Sequence, residues 1–382
     1  MTDIIHLRGI AWNHTRGFVS VVATAQRFEE LHPNVRVTWE KRSLQAFADA
    51  PMEKLAEAYD LIVMDHPHTA LAAEAGLLLP LGENLPPAYL DDQAANSVGA
   101  SHRSYHFKGH QWSLATDAAT PVATWREDLL CQRRIELPRT WDEVLALADS
   151  GHVGVALFPV DVLMHTYMFC TALGAELFAD DSAVAPTEIL EAALEHLREL
   201  ARRVDPAYLG LNPIRTAERM TSTDTAVYCP FAYGYSNYSR PGYARRTLNA
   251  GGLVQLDGTP LRSTLGGAGL AVSARTKHPE EAAAYAAFTG TPDTQRGIYF
   301  ASGGQPGHRS AWLDEGVNAA SNGFFRDTLE TLDNALLRPA YPGYMHFQDN
   351  GSPIAHAAVA GKLKISDAVR EIQELYRRSH EL

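Results

Sequence analysis

The sequence has little of what several specialised classes of protein depend on. Only three of its 382 residues are cysteine, and Cys131, Cys170 and Cys229 do not form the CxxC pairs or cysteine–histidine spacings of a structural zinc site. Acidic residues outnumber basic ones, so the formal net charge is −12, whereas a nucleic-acid binder needs a basic surplus to neutralise phosphates. No apolar run reaches the length that spans a bilayer. We therefore expect no nucleic-acid partner, no membrane insertion, no metal and no other cofactor.

The common catalytic motifs are also missing. The chain contains no GxSxG, HExxH or P-loop pattern, so no catalytic residue is predicted from a motif. Its start, Met1-Thr2-Asp3, has no basic segment and runs into a strand-like stretch instead of the apolar core of a secretory leader. Either a leader has been trimmed or the protein stays in the cytoplasm, and the sequence leaves both open.

What the sequence does contain is the composition and patterning of a folded α/β protein. Hydrophobic residues make up 46% of the chain and charged residues 20%, and the length suits two domains better than one core. Apolar periodicity predicts strands at 4–10, 35–39, 61–64, 153–157, 225–229 and 269–273. It predicts helices at 19–28, 47–58, 163–173, 188–203, 279–289 and 367–379. This alternation indicates doubly wound sheets.

Six local patterns follow one another along nearly the whole chain. They are FEELHPNVRV at 28–37, YDLIVMD at 59–65, AGLLLPL at 75–81, LPRTWDE at 137–143, GGAGLAVS at 266–273 and GGQPGHRSA at 303–311. Each is short, but their order is the same as in one family. Together they resemble the sugar-type extracellular solute-binding proteins of ABC importers, the maltose-binding-protein-like group.

The resemblance implies a fold and a function. The fold is the two-lobed periplasmic-binding-protein fold of type II, in which each lobe is a mainly parallel sheet flanked by helices and the ligand cleft lies at the hinge. Lobe one is expected at 1–116 plus 268–311, and lobe two at 117–267 plus 312–382. The implied protein is an extracytoplasmic monomer that captures a small polar ligand, a carbohydrate or a sugar acid. An ABC permease is its further candidate partner.

Candidate ligand-binding residues lie in the loops that follow strands, because ligands of open α/β sheets bind beyond the carboxyl ends of the strands. The loop after the first strand offers Trp12, Asn13, His14 and Arg16, and the helix that begins near Gly17 would favour an anionic group. Each of these side chains could instead pack on a neighbouring loop or face water.

Further candidates come from the loop after the third strand and from the first lobe crossing. Asp65 and His66 could accept protons from ligand hydroxyl groups, and His68 adds too few ligands for a metal site. Asp117 lies at the crossing, where it could contact the ligand or make a hinge hydrogen bond.

The remaining candidates are aromatic, basic or glycine residues. Aromatic rings suit the flat faces of sugars, arginine can clamp a carboxylate, and glycine lets main-chain amides approach a ligand. These residues are Tyr233, Tyr235, Tyr341, Tyr344, Arg309, Gly266 and Gly267.

A second hypothesis is a cytoplasmic enzyme built on the same fold. Histidine titrates near neutral pH and suits general acid–base chemistry. His14, His66, His68, His110 and Asp117 are all expected near the cleft and could supply it. A native leader upstream of Met1 would favour transport over this alternative.

Overall fold

Two separate stretches of chain make up each half of the protein. The computed structural model describes residues 4–43 and 51–382. Unit 1 consists of Met1–Ala119 and Gly266–Asn318, and unit 2 of Thr120–Leu265 and Ala319–Leu382. The chain therefore passes from one unit to the other after residues 119, 265 and 318, compared with predicted boundaries after 116, 267 and 311.

Unit 1 is built on a five-stranded mixed sheet. Its strands, in sheet order, are β2 (Val35–Arg42), β1 (Ile5–Trp12), β3 (Leu61–Asp65), β12 (Ala268–Val272) and β6 (Ser113–Leu114). The first three are parallel, and β12 is antiparallel to both of its neighbours. Four of the five residues of β3 are buried, as expected for a parallel strand covered on both faces. The predicted doubly wound pattern is correct for these strands.

Helices cover this sheet, and a small hairpin extends from it. The helices are α1 (Ser20–Leu31), α2 (Met52–Ala58), α3 (His68–Glu74), α4 (Pro87–Ala95), α10 (Pro279–Gly290), α11 (Pro292–Thr294), α12 (Arg309–Trp312) and, reaching into unit 2, α13 (Glu315–Ala320). The hairpin consists of β4 (His106–Phe107) and β5 (His110–Gln111). Residues 47–50 of the predicted helix 47–58 lie outside the described residues. No helix within 4–43 and 51–382 combines the length and hydrophobicity needed to cross a bilayer.

Unit 2 has an antiparallel sheet, which differs from the prediction. Its order is β8 (Tyr228–Tyr233), β7 (Pro121–Trp125) and β9 (Asn249–Gly251), and both pairings are antiparallel. A separate ribbon pairs β10 (Gln255–Leu256) with β11 (Thr259–Pro260). The predicted strand 153–157 forms only an isolated parallel bridge, from Val153 to Tyr228, among the residues described. Apolar periodicity reports burial and not strand direction, so the sequence could not reveal this difference.

The core of unit 2 is helical. Its helices are α5 (Glu127–Arg133), α6 (Trp141–Asp149), α7 (Pro159–Ala172), α8 (Thr187–Arg203), α9 (Pro213–Ser222), α14 (Phe324–Asp333), α15 (Tyr344–Val359) and α16 (Ile365–Ser379). Helix α7 is apolar on nearly all sides and buried from Asp161 to Cys170, whereas α8 and α16 bury one face each. A helix that is hydrophobic all round must lie inside, so α7 forms the centre of this unit.

The first crossing is anchored in unit 1 by main-chain contacts on two sides. Asp117 and Ala268 exchange both main-chain hydrogen bonds, at 3.0 and 3.1 Å. On the other side, the Gly307 amide donates to the Thr116 carbonyl at 3.2 Å. The segment 115–119 therefore runs between 266–268 and 305–307 like a strand between two partners.

Helix α1 does not begin as a regular α-helix. A π-helical turn at Thr15–Val19 precedes it, so the chain carries one more residue per turn there than an α-helix would. Short 3₁₀ turns occur at Leu81–Glu83, Arg103–Tyr105, Pro206–Gly210 and Ser236–Ser239, and a second π turn at Gln295–Tyr299 follows α11. Because π turns are rare and often occur at functional sites, the turn at Thr15–Val19 marks the loop after β1 for closer study.

The close main-chain packing at the first crossing makes Gly307 hard to replace. A Cβ atom at Gly307 would lie 1.8 Å from the Ala115 carbonyl oxygen, so backbone has to move. We expect Gly307→Ala to lower the free energy of unfolding by about 1–3 kcal/mol. Gly210→Ala is the control, because a Cβ at this exposed glycine meets nothing within 4 Å. Urea unfolding measures both, and equal stability of the two variants would contradict the role of the crossing contact.

Candidate functional site

The carboxyl ends of three parallel strands meet at one edge of the unit 1 sheet. Trp12 and Arg42 are partners at the last register position of β1 and β2, and Asp65 ends β3 opposite Ala268 of β12. Asp117 pairs with Ala268 through the main chain, so the first crossing lies at the same edge. The structure therefore brings together Trp12, Asp65 and Asp117, which the sequence placed in three separate loops.

Trp12 and Gly17 shape the loop after β1. The Trp12 side chain is buried in the core of unit 1. A Cβ atom at Gly17 would lie 2.3 Å from the indole ring, so only glycine lets the π turn pack this closely on it. The Arg16 guanidinium carbon lies 6.0 Å from the centre of the same ring. Trp12 thus acts as a platform that fixes the start of the helix.

His14 caps the helix that follows. Its Nδ1 accepts a hydrogen bond from the Arg16 main-chain amide at 3.0 Å. The neighbouring Asn13 is exposed, and its main-chain amide donates to the Arg42 carbonyl. Burial and then the nearby Arg16 charge lower the pKa of His14 from 6.5 to about 4. His14 is therefore neutral at physiological pH. Its ring nitrogen accepts a hydrogen bond from one of the main-chain amides at the helix start, where the sequence predicted that an anionic group would be favoured.

Arg16 and Asp117 form a buried, bidentate ion pair. Arg16 Nε donates to Asp117 Oδ2 at 2.7 Å and Nη2 donates to Oδ1 at 2.5 Å, with side-chain exposures of 4% and 1%. The Ala268 amide also donates to Oδ1, at 3.2 Å. Burial raises the pKa of Asp117, and the Arg16 guanidinium and the Ala268 amide oppose that rise. The two predicted ligand contacts are thus partners of each other, and Asp117 also accepts a hydrogen bond from the main chain of β12.

Asp65 and the two histidines that follow lie in a mixed polar and aromatic setting. Asp65 is half-buried. Burial lowers the pKa of Arg42 to about 10, and the charge of Asp65 opposes this shift. His66 is buried with its ring edge-on to Tyr105 at 6.3 Å, and His68 is buried at the start of α3. Within the described ranges, no three histidine, cysteine or acidic side chains converge as a metal site.

The predicted glycines serve the chain itself. Gly267 has φ +98°, and a Cβ atom there would lie 2.5 Å from the Asp117 carbonyl oxygen. The Gly266 amide donates to the Ala119 carbonyl at 2.8 Å. Both glycines pack closely against the main chain of the first crossing. This packing explains why glycine is needed at these two positions without invoking a ligand.

Arg309 lies at the start of α12 in unit 1. Its Nη2 approaches the Ser97 carbonyl at 3.4 Å, and the preceding His308 caps the helix through Nδ1. His308 Nε2 faces Asp92 at 3.3 Å. The half-buried Arg309 is therefore held on a short, well-anchored helix.

In unit 2, Tyr233 is the last residue of β8, and Tyr235 follows it in the next loop. Both rings are half-buried, and the Tyr233 hydroxyl is 3.1 Å from Thr264 Oγ1. They border a cavity of about 20 Å³ that Thr124, Tyr238 and further residues complete. A cavity of this size holds one water molecule, so it is too small for a sugar.

Tyr341 and Tyr344 belong to an aromatic cluster in the core of unit 2. Tyr344 is fully buried beside Phe178 and Phe347, and Tyr341 stacks on His380 with ring centres 4.0 Å apart. Their packing holds α15 against α16. The structure thus places Tyr344 in the core of unit 2 and half-buried Tyr341 against the same aromatic cluster.

A larger groove of about 670 Å³ lies between α15 and α16 of unit 2. Three of its charged residues pair with one another, because Glu374 binds both Arg377 and Arg378. It contains none of the predicted ligand-binding residues, so we do not assign the ligand to it.

Comparison with known proteins decides the family. The profile of the family described as bacterial extracellular solute-binding protein matches residues 23–322, well over half of the chain. This chain belongs to that family. The resemblance found in the sequence is confirmed, and the enzyme hypothesis has no support.

Solved structures show that the solute-binding protein has the fold of the two-lobed group. An ABC transporter solute-binding protein from Thermotoga lettingae, bound with α-D-tagatose, gives a TM-score of 0.85 at 18% identity over 98% of this chain and 100% of that one. One from Agrobacterium radiobacter K84, in complex with ribitol, gives 0.84 at 18% identity and 99% coverage of both chains. Maltose-bound MalE3 of T. maritima gives 0.83 at 17% identity, covering 98% and 99%. The predicted two-lobed α/β fold class is confirmed, and only the expected parallel sheet of unit 2 is wrong.

The solute-binding protein also has two buried ionisable residues that the sequence analysis missed. Asp161 and His165 lie one turn apart on α7, and Asp161 Oδ2 and both His165 ring nitrogens have no hydrogen-bond partner within the described part of the chain. The His165 ring packs 4.4 Å from Phe231. The available signal was an acid and an imidazole at positions i and i+4 in an otherwise apolar helix.

The ion pair between Arg16 and Asp117 should be the most costly polar contact of unit 1 to break. We expect Arg16→Met alone to lower the free energy of unfolding by about 3–5 kcal/mol, because it leaves Asp117 buried without its counter-charge. The double variant with Asp117→Leu should recover most of this loss. Arg8→Met, which breaks an exposed pair with Glu40, is the control and should change little. A double variant no more stable than Arg16→Met, in urea unfolding, would refute the coupling.

Buried His165 should make the protein less stable in acid. Burial lowers the pKa of His165 from 6.5 to about 3. Between these two pH values the unfolded chain is protonated at His165 and the folded chain is not. The free energy of unfolding is therefore unaffected by this group above pH 6.5, and it decreases as the pH falls from 6.5 towards 3.

The matching variant is His165→Leu, which keeps an apolar side chain of similar size. Between pH 7 and pH 4.5 it should lose about 2 kcal/mol less unfolding free energy than the wild type. His346→Leu removes an exposed histidine of the same unit and should keep the wild-type difference. Equal pH dependence of His165→Leu and the wild type would show that His165 is not the responsible group.

Proposed function

We propose that this solute-binding protein captures a small polyhydroxylated ligand, a carbohydrate or a sugar acid, outside the cytoplasm and delivers it to an ABC permease. The family match over 23–322 carries the proposal, since the family is extracellular and binds solutes. Solved relatives of the same fold are bound with tagatose, ribitol and maltose, which supports a ligand rich in hydroxyl groups.

The proposed contacts of unit 1 come from the edge at which β1, β2 and β3 end. Asp65 and His66 supply groups that can accept protons from hydroxyl groups, and Asp65 is only half-buried. Arg16 and Asp117 neutralise each other, so we propose that they support the loop and leave the hydrogen bonding to Asp65 and His66.

The proposed contacts of unit 2 are Tyr233 and Tyr235. Their half-buried rings have an apolar face for a sugar ring and a polar tip for a hydroxyl group. Their position at the end of β8 and in the loop after it supports this role, because binding residues often lie on loops held by a rigid scaffold.

Thermal unfolding with a compound panel tests the ligand class. The panel contains neutral sugars, sugar acids, polyols, amino acids and dipeptides, and native mass spectrometry first identifies any compound that co-purifies. We expect at least one polyhydroxylated compound to raise Tm by a few degrees, since a ligand at 100 times its Kd stabilises by about 2.7 kcal/mol. A panel in which only amino acids or dipeptides raise Tm would overturn the proposed ligand class.

Calorimetry with the best-binding compound then tests the residues. Asp65→Ala should weaken binding about tenfold or more, because a hydrogen bond to a charged group is lost. Tyr233→Ala should weaken it by a smaller factor, through loss of ring stacking. Asp91→Ala, which removes an exposed acid of unit 1, is the control. Unchanged affinity in both test variants would contradict the assignment of these residues.

A further inference from the structure

Two asparagine–glycine pairs occur in the chain, Asn322-Gly323 and Asn350-Gly351. Such a pair is chemically labile, because glycine has no side chain to shield its main-chain nitrogen from the asparagine side chain before it. Both asparagines are exposed and both glycines are buried, so access to solvent does not distinguish the pairs. Their main-chain conformations do distinguish them.

Asn322 and Gly323 form the tight turn that leads into α14 of unit 2. Their φ angles are +52° and +74°, and the Phe324 amide donates to the Ser321 carbonyl at 3.0 Å. Two successive positive φ angles closed by this hydrogen bond are the pattern of a type I′ turn. The Gly323 amide donates to no residue within 4–43 and 51–382. One main-chain hydrogen bond therefore closes the turn, and the Gly323 nitrogen is not held by an acceptor of the described chain.

Asn350 and Gly351 lie inside a regular helix. They belong to α15, which runs from Tyr344 to Val359, so the Gly351 amide is part of the main-chain hydrogen-bond ladder. Asn350 Nδ2 donates to the His346 carbonyl at 2.8 Å. Several helical hydrogen bonds must open before the Asn350 side chain can reach the Gly351 nitrogen. The helix thus protects the second pair, whereas a tight turn needs only local opening.

We propose that Asn322 is a site of spontaneous deamidation in the folded protein. The Gly323 main-chain nitrogen loses its proton to the solvent and bonds to Asn322 Cγ. The bond from Cγ to Nδ2 breaks, and Nδ2 takes up a proton and leaves as ammonia, which closes a cyclic succinimide. Water then adds to one of the two imide carbonyls and breaks its bond to nitrogen, which leaves aspartate or isoaspartate at position 322. The net change consumes one water and releases one ammonia, without an oxidant or reductant.

This modification would alter two contacts at the start of α14. Asn322 Nδ2 donates to Asn249 Oδ1 of β9 at 3.1 Å, and deamidation replaces this donor with a carboxylate oxygen, which only accepts. Isoaspartate also adds one carbon to the main chain of the turn just before Phe324. The Phe324 ring packs on Gly234, where a Cβ atom would lie 2.8 Å from it. Deamidation therefore changes how α14 is held on the unit 2 sheet.

Peptide mass spectrometry of the aged protein tests the inference. The folded protein is held in mildly alkaline buffer well below its Tm, and trypsin then releases Asn322 and Asn350 in separate peptides, because Arg326 lies between them. The urea-unfolded chain supplies the intrinsic rate of each pair. Relative to that rate, we expect Asn322 to convert about tenfold faster than Asn350 in the folded protein, with isoaspartate among the products. Equal relative rates, or no conversion of Asn322 while the unfolded chain converts, would overturn the inference.

Two variants assign the reaction to Asn322. Asn322→Gly removes the reacting amide and tolerates the positive φ, so acidic species should form about tenfold more slowly than in the wild type on ion-exchange chromatography. Asn350→Ala is the matched control, because it removes the other exposed amide and should leave the wild-type rate unchanged. An Asn322→Gly variant that forms acidic species at the wild-type rate would refute the assignment.

Discussion

The Arg16–Asp117 ion pair is the contact on which the candidate site of unit 1 depends. It joins the turn after β1 to the first crossing, and Asp117 is held in turn by the Ala268 amide of β12. Both charges are out of water, so each needs the other, and neither segment can shift without exposing or isolating a charge. Trp12 beneath Gly17 fixes the same turn from below. The edge where β1 and β3 end is thus positioned by one electrostatic contact and one steric contact.

The two units keep ionisable groups in their interiors in opposite ways. Unit 1 keeps Arg16 and Asp117 buried by pairing opposite charges, which preserves both charges and fixes their geometry. In unit 2, burial raises the pKa of Asp161 and lowers that of His165, which favours the neutral form of each. The ion pair of unit 1 fixes the relative position of the two segments that it joins. Unit 2 retains polar atoms whose hydrogen-bonding capacity is unused among the described residues, and such atoms cost stability unless something else uses them.

The sequence predicted the fold well because the fold depends on local patterns. The apolar run at 61–64 and the ordered patterns from 28–37 to 303–311 report burial and chain order directly. Side-chain partners are a different matter. Arg16 and Asp117 were selected for their chemistry and lie at the predicted edge, but a pairing across 101 residues leaves no trace in local spacing. Tyr341 and Tyr344 flank a Pro-Gly turn, and their packing depends on residues distant in sequence: Tyr341 packs on Tyr376 of α16, and Tyr344 packs on Phe178. Asp161 was missed because its apolar neighbours indicate core.

The π turn at Thr15–Val19 sets the rotational phase of α1 relative to the strand before it. An α-helix advances about 100° per residue, so removing one residue from this turn would allow a regular helix but would rotate Arg16 by more than a quarter of a circle. The guanidinium would then point away from Asp117, although every main-chain hydrogen bond could still form. The ion pair therefore constrains the length of this loop. A one-residue insertion or deletion here would separate Arg16 from Asp117, with the same effect as removing one of the two charges.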